Sequence, residues 1–142
     1  MAMSYKNVYV AQVCIGADMQ QFLNALTEAE AYDGPSLIIA YSTCIAHGYS
    51  MSKTLERERL AVACGYWHLF RFNPLLRAEN KPCLVLDSKA PTADFREFLE
   101  GENRFRSLSQ TQPEIAESLF TELENEYKQR YALYQKLAEG IL

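Results

Sequence analysis

Apolar side chains along this chain change their spacing several times, and each change predicts an element. At Asn7–Val13 the β-formers Val8, Tyr9, Val10 and Val13 run toward a glycine at 16, which predicts a strand. Asp18 stands next as an N-cap with Gln21 as its capping-box partner three residues on. Phe22, Leu23, Leu26 and Ala29 then recur at helical spacing, so 19–31 reads as an amphipathic helix, stopped by Asp33-Gly34-Pro35. Ser36-Leu37-Ile38-Ile39-Ala40-Tyr41 does not alternate, which is the pattern of a strand covered on both faces in a parallel sheet. Strand, helix and strand make one βαβ unit.

Residues 42–50 read as a loop leaving the carboxyl end of that second strand. Lys53–Cys64 reads as a helix with Leu55, Leu60, Val62 and Ala63 apolar and Gly65 as its stop. Tyr66–Asn73 follows as a strand, with Tyr66, His68, Phe70 and Phe72 on one face. The chain turns over 74–81 and returns as a strand over Cys83–Leu86, and the short connection predicts an antiparallel hairpin. A short helix is expected over Asp94–Leu99. Thr111-Gln112-Pro113-Glu114 reads as a capping box opening a long helix to about Glu139. Ile115, Leu119, Leu123, Tyr127 and Tyr131 recur every four residues as its apolar seam. With no internal repeat or low-complexity linker, the expectation is one α/β domain over 1–142: a parallel βαβ core, an antiparallel hairpin and a long C-terminal helix.

Composition narrows the function classes. The longest apolar runs are five residues, far below the roughly 20 that cross a bilayer, so no membrane span is expected. Met1–Val8 offers no apolar block of a secretory signal, and the expected compartment is the cytoplasm, where four cysteines are thiols or metal ligands rather than disulfides. The net charge of −4 arises in residues 91–142, which hold 10 acidic and 6 basic side chains, against 8 of each over 1–90. No basic face is concentrated enough for nucleic acid.

The cysteines fall at 14, 44, 64 and 83, without the close pairs of a structural zinc site. Cys14, Cys64 and Cys83 sit in apolar surroundings and read as small core residues. Cys44 differs by place. It follows the carboxyl end of a predicted parallel strand, where open α/β sheets carry ligands and reactive groups, so it is either a metal ligand or an inert loop thiol. His47 could join a metal site or orient a phosphate, or be an ordinary polar residue, which is the preferred reading; His68 reads as a packed, hydrogen-bonded histidine. Glu28, Glu30 and Asp33 give no support for paired-carboxylate catalysis. No glycine pattern cradles a phosphate. No catalytic or cofactor-binding residue is assigned.

One stretch, Gly34-Pro35-Ser36-Leu37-Ile38-Ile39-Ala40-Tyr41-Ser42-Thr43-Cys44-Ile45, resembles the pyruvate:ferredoxin (flavodoxin) oxidoreductases. Met1–Tyr5 running into Val8–Ala11, Gly65–Arg71 and Leu86–Pro91 agree with the same family in the same order. The resemblance implies the carboxyl-terminal part of the thiamine-diphosphate-binding domain of a large homo-oligomeric enzyme. Such enzymes decarboxylate pyruvate on thiamine diphosphate and magnesium (Mg2+), pass electrons through four-iron–four-sulfur (4Fe-4S) clusters to ferredoxin or flavodoxin, and give the acetyl group to coenzyme A. The Gly-Asp-Gly segment that holds magnesium and the diphosphate in the family is absent here. By the resemblance, Cys44 matches the fourth cysteine ligand of the proximal cluster, whose other three ligands lie outside this chain. The chain by itself is then expected to bind no cofactor and to be inactive, completed by the rest of the parent enzyme. A free-standing α/β interaction or scaffold domain derived from such an enzyme is the alternative.

Overall fold

The computed structural model describes residues 1–141. The β-former run at the start becomes β1 (Tyr9–Val13), buried along nearly its whole length, and the amphipathic segment becomes α1 (Met19–Ala31). β2 (Ser36–Ala40) then lies parallel to β1, with Val10 opposite Leu37 and Val13 opposite Ala40. This is the expected βαβ unit. Asp18 caps α1 by accepting the Gln21 amide at 2.9 Å, but the Gln21 side chain does not reach back to the cap. It is buried and donates to the Gln12 carbonyl (3.3 Å) and to Asp87 Oδ2 (3.0 Å).

The hairpin also forms. β3 (Phe70–Phe72) and β4 (Leu84–Leu86) pair antiparallel, and β3 pairs antiparallel with β1, so the sheet order is β2-β1-β3-β4. The predicted strand over 66–73 keeps only three residues in the ladder. Before it, Leu69 is pulled aside, its amide donating to Ser88 Oγ at 2.6 Å. The connection between β3 and β4 is a 3₁₀ segment, Pro74–Glu79, capped by Asn73 and ended by Asn80 in the left-handed region.

The carboxyl half contains α2 (Thr54–Ala63), α3 (Phe95–Glu100), α4 (Asn103–Thr111) and α5 (Pro113–Ala138). The sequence pattern does not announce α4, because Phe105 and Leu108 are its only large apolar residues and the rest reads as polar loop. Thr111 is not a cap. It ends α4, and Gln112 alone, at φ −144 and ψ 71, separates the two helices. Pro113 forces that break, since it excludes the helical conformation at the residue before it and suits the first turn of the next helix. The seam of α5 is shifted as well. Ala116 and Phe120 are buried, with Leu123 and Tyr127 against the same core, while Ile115 and Leu119 are exposed. A strict spacing of four drifts around a helix of 3.6 residues per turn, so the true seam alternates steps of three and four.

Three apolar clusters result. α1 covers one sheet face over Tyr9, Ala11, Val13 and Ile38. The end of α5 lies over Val10, Phe70 and Leu84 on the opposite side of the ladder, contributing Tyr134 and Leu137. A helical core of Phe95, Phe98, Leu99, Ala116 and Phe120 joins them through Tyr66 and Trp67. β2 is a sheet edge, and Leu37 and Ile39 are 41% and 39% exposed, contrary to the expectation of two covered faces.

His68 is buried, stacked on Tyr127 and Tyr131 and edge-on to Tyr134. It packs as expected, but its Nε2 has no hydrogen-bond partner. Burial, then the charge of Arg130, pushes its pKa down to about 4. The unfolded chain therefore binds a proton below about pH 6.5 that the fold refuses until about pH 4, so stability falls as pH drops through that window. His68→Phe should flatten this fall by up to roughly 3 kcal/mol. Urea unfolding of both proteins between pH 7 and pH 4 checks it, and the difference should be confined to that range.

Candidate functional site

The loop after β2 is held at both ends. The Tyr41 amide donates to the Val13 carbonyl (2.9 Å), carrying the parallel pairing one residue past β2, and the Thr43 and Thr54 hydroxyls meet at 3.2 Å where α2 begins. Between them Cys44 is extended and caps a 3₁₀ turn, Ile45–His47. Its Sγ accepts the Ala46 amide at 3.5 Å, and its own amide donates to His47 Nδ1 at 3.4 Å. Gly48 closes the turn at φ 84, a left-handed conformation that a side chain would strain. A second turn, Met51–Lys53, leads into α2. Cys44 lies four residues past β2 and is exposed.

Beneath this turn lies a charged group the sequence does not advertise. Glu102, the residue before α4, is fully buried. Its Oε2 accepts from Arg104 Nε at 2.6 Å, and its Oε1 accepts from the Tyr41 hydroxyl at 3.5 Å. His47 Nδ1 and Arg57 Nη2 face the same Oε1 at 3.7 and 4.0 Å. Arg57, on α2, donates to the Phe98 carbonyl at 2.7 Å and lies over the rings of Tyr49 and Phe98. Burial and the Glu102 charge push the Tyr41 phenol well above its ordinary range. Gly48 meets the side chain of Asn103 so closely that a Cβ there would collide with it. The turn bearing Cys44 thus rests on the first residues of α4.

The remaining candidates lie elsewhere. Cys14 and Cys64 are buried, their thiols pushed up to about 11, chiefly by burial, so they stay protonated at neutral pH. Cys83 begins the return of the hairpin and is partly buried. Glu28 accepts the Tyr9 hydroxyl at 2.9 Å and pairs with Arg71, which also grips Asp87 through two hydrogen bonds of 3.0 and 2.8 Å. That carboxylate ties α1 to the sheet. Among the described residues, no three His, Cys, Asp or Glu side chains converge to hold a metal ion. A cluster with four thiolate ligands would find one here, on a loop and accessible, and would need three from elsewhere. Sequence reasoning reached Cys44 through its place after β2, and missed Glu102, Arg57 and Arg104 because spacing carries no signal for a buried ion group.

No protein-family model matches the chain. It is 54% identical over 140 residues to the pyruvate:ferredoxin oxidoreductase of Moorella thermoacetica and 51% identical over 140 residues to the pyruvate-flavodoxin oxidoreductase of Klebsiella pneumoniae. These alignments take in 99% and 97% of this chain but 12% of either relative. A more distant relative is a mitochondrial pyruvate dehydrogenase (NADP+) of Euglena gracilis, 42% identical over 142 residues and 8% of that protein. The chain spans about 12% of the length of the bacterial relatives it matches.

The four thiols should separate by reactivity. In the folded 142-residue chain, Ellman's reagent should modify Cys44 first and Cys83 more slowly, with Cys14 and Cys64 reacting only on unfolding. Mass mapping after a brief exposure, with Cys44→Ser as the reference, reads the order directly.

Proposed function

We propose that this chain, a homologue of one segment of the pyruvate:ferredoxin and pyruvate-flavodoxin oxidoreductases, works as a non-catalytic part of such an enzyme. The parent reaction converts pyruvate and coenzyme A to acetyl-CoA and carbon dioxide, with one proton and two electrons released, the electrons passing to ferredoxin or flavodoxin. Thiamine diphosphate, magnesium and the 4Fe-4S clusters belong to that larger molecule, a cytoplasmic homo-oligomer in this reading. The segment that would hold magnesium and the diphosphate is not written in these residues, since the chain contains no Gly-Asp-Gly. What this chain contributes is one thiolate. Cys44 would be the fourth ligand of the proximal cluster, and the cluster supplies one-electron transfer when bound.

The observation that carries the reading is the setting of Cys44. An exposed thiol stands past the carboxyl end of a parallel strand, on a turn fixed at both ends, with the Ala46 amide donating to its sulfur. A backbone amide aimed at the sulfur stabilises a thiolate and helps set the potential of a cluster it ligates. Cys14 and Cys64 also receive backbone amides at sulfur, but both are buried, and among the four cysteines Cys44 alone is exposed.

In the full-length enzyme, Cys44→Ser should leave pyruvate decarboxylation partly active and impair electron delivery to the acceptor, because serine oxygen is a harder and poorer ligand for this iron. Low-temperature electron paramagnetic resonance of the reduced enzyme should show one cluster signal lost or shifted. An unchanged spectrum with normal ferredoxin reduction would return Cys44 to the inert thiols.

A further inference from the structure

Glu102 is a fully buried carboxyl group with no role in the reading above. Taking such a group out of water costs several kcal/mol unless partners surround it, so its presence needs an account. Its partners come from every element around the Cys44 turn. Arg104 belongs to α4, Arg57 to α2, Tyr41 to the end of the β2 pairing, and His47 to the turn itself. It is also the residue before α4, yet its side chain caps no helix amide. The carboxyl group is turned toward the loop instead.

A second contact meets at the same corner. Gly48, at the end of the turn, closes onto Asn103, the residue after Glu102. The turn thus rests on the start of α4 at two places, where the His47 ring lies against Glu102, Nδ1 to Oε1 at 3.7 Å, and where Gly48 meets Asn103. The His47 ring links the first of these contacts to Cys44, because its Nδ1 accepts the Cys44 amide hydrogen.

We infer that Glu102 is a positioning residue: its buried carboxyl group, with the Gly48–Asn103 contact beside it, holds the turn that presents Cys44 and so sets the place of that thiol. The inference rests on the reading of Cys44 as a cluster ligand. Its residues act through the turn, and none of them touches iron.

The test uses the full-length enzyme and the resonance signal that Cys44→Ser removes. Glu102→Gln keeps the volume and can still accept from Arg104, and Gly48→Ala disturbs the seat without touching the charge. Both should shift that signal, and both should speed iron loss to a chelator by roughly 10- to 100-fold, the usual cost of disturbing a group that orients a metal ligand. Leu84→Ala, in the sheet core on the far side of β3 from β1, should lower stability without moving either readout. The inference is overturned if Glu102→Gln and Gly48→Ala leave signal and iron loss as in the parent, or if Leu84→Ala moves them equally. If Cys44→Ser itself changes nothing, the ligand reading fails on its own, and hydrogen exchange of the His47 amide, which donates to the Cys44 carbonyl at 2.9 Å within the turn, becomes the measure. A rise of about tenfold in Glu102→Gln then supports the seat, since local opening of the turn exposes that amide, and an unchanged rate overturns it.

Discussion

Glu58 accepts the amide hydrogen of Gly16 at 2.9 Å, inside the protein and at the carboxyl end of β1. This bond joins the end of the sheet to the helices beyond it. It fixes α2 against the strand end, where Arg59 Nε adds a hydrogen bond to the Gly16 carbonyl at 3.2 Å and Cys14 Sγ lies 3.9 Å from the Glu58 carbonyl. From the other side Trp67 Nε1 donates to the Val13 carbonyl at 2.9 Å. A buried acceptor left without its donor costs more than the bond itself contributes, so the sheet and the helices are held in one relation. A Cβ at Gly16 would displace the Glu58 carboxylate from this bond.

With α2 fixed, its neighbouring Arg57 points the other way, under the loop after β2. There it meets the Phe98 carbonyl and the surroundings of Glu102. Two adjacent residues of one short helix thus serve both ends of the Cys44 region. Glu58 secures β1, which orders β2 through their parallel pairing, and Arg57 secures the helical floor. The aromatic pile of Tyr41, Tyr66, Trp67 and Phe98 fills the space between them.

The edge of the sheet bears on the relation to the longer relatives. β2 carries apolar residues in the pattern of a doubly covered strand, and only Ile38 is packed, against α1. Leu37 and Ile39 remain open, as do Met19, Leu23 and Leu26 along α1. A parallel strand left at an edge with its apolar side chains exposed is unusual for a self-sufficient sheet. It agrees with a chain whose bacterial relatives carry about eight times its length, of which it matches 12%.

Local spacing determined much of this protein. The non-alternating run at 36–41, the helical repeat at 22–29 and the short return at 83–86 write the βαβ unit and the hairpin directly, because side-chain direction follows backbone period. The place of Cys44 after β2 was legible for the same reason. Other features depended on residues distant in sequence. The exposure of Ile115 and Leu119 reflects which side of α5 the core presents, and Pro113, which opens α5 as expected, also parts it from α4, a helix that spacing does not announce. Arg57 and Glu58 look like a solvated face of α2 when read alone, and Glu102 like an ordinary surface acid between Gly101 and Asn103. Their burial is affordable only because partners 41 to 45 residues away arrive to satisfy them. Charge pairing across such distances has no period, so only the tertiary structure decides it.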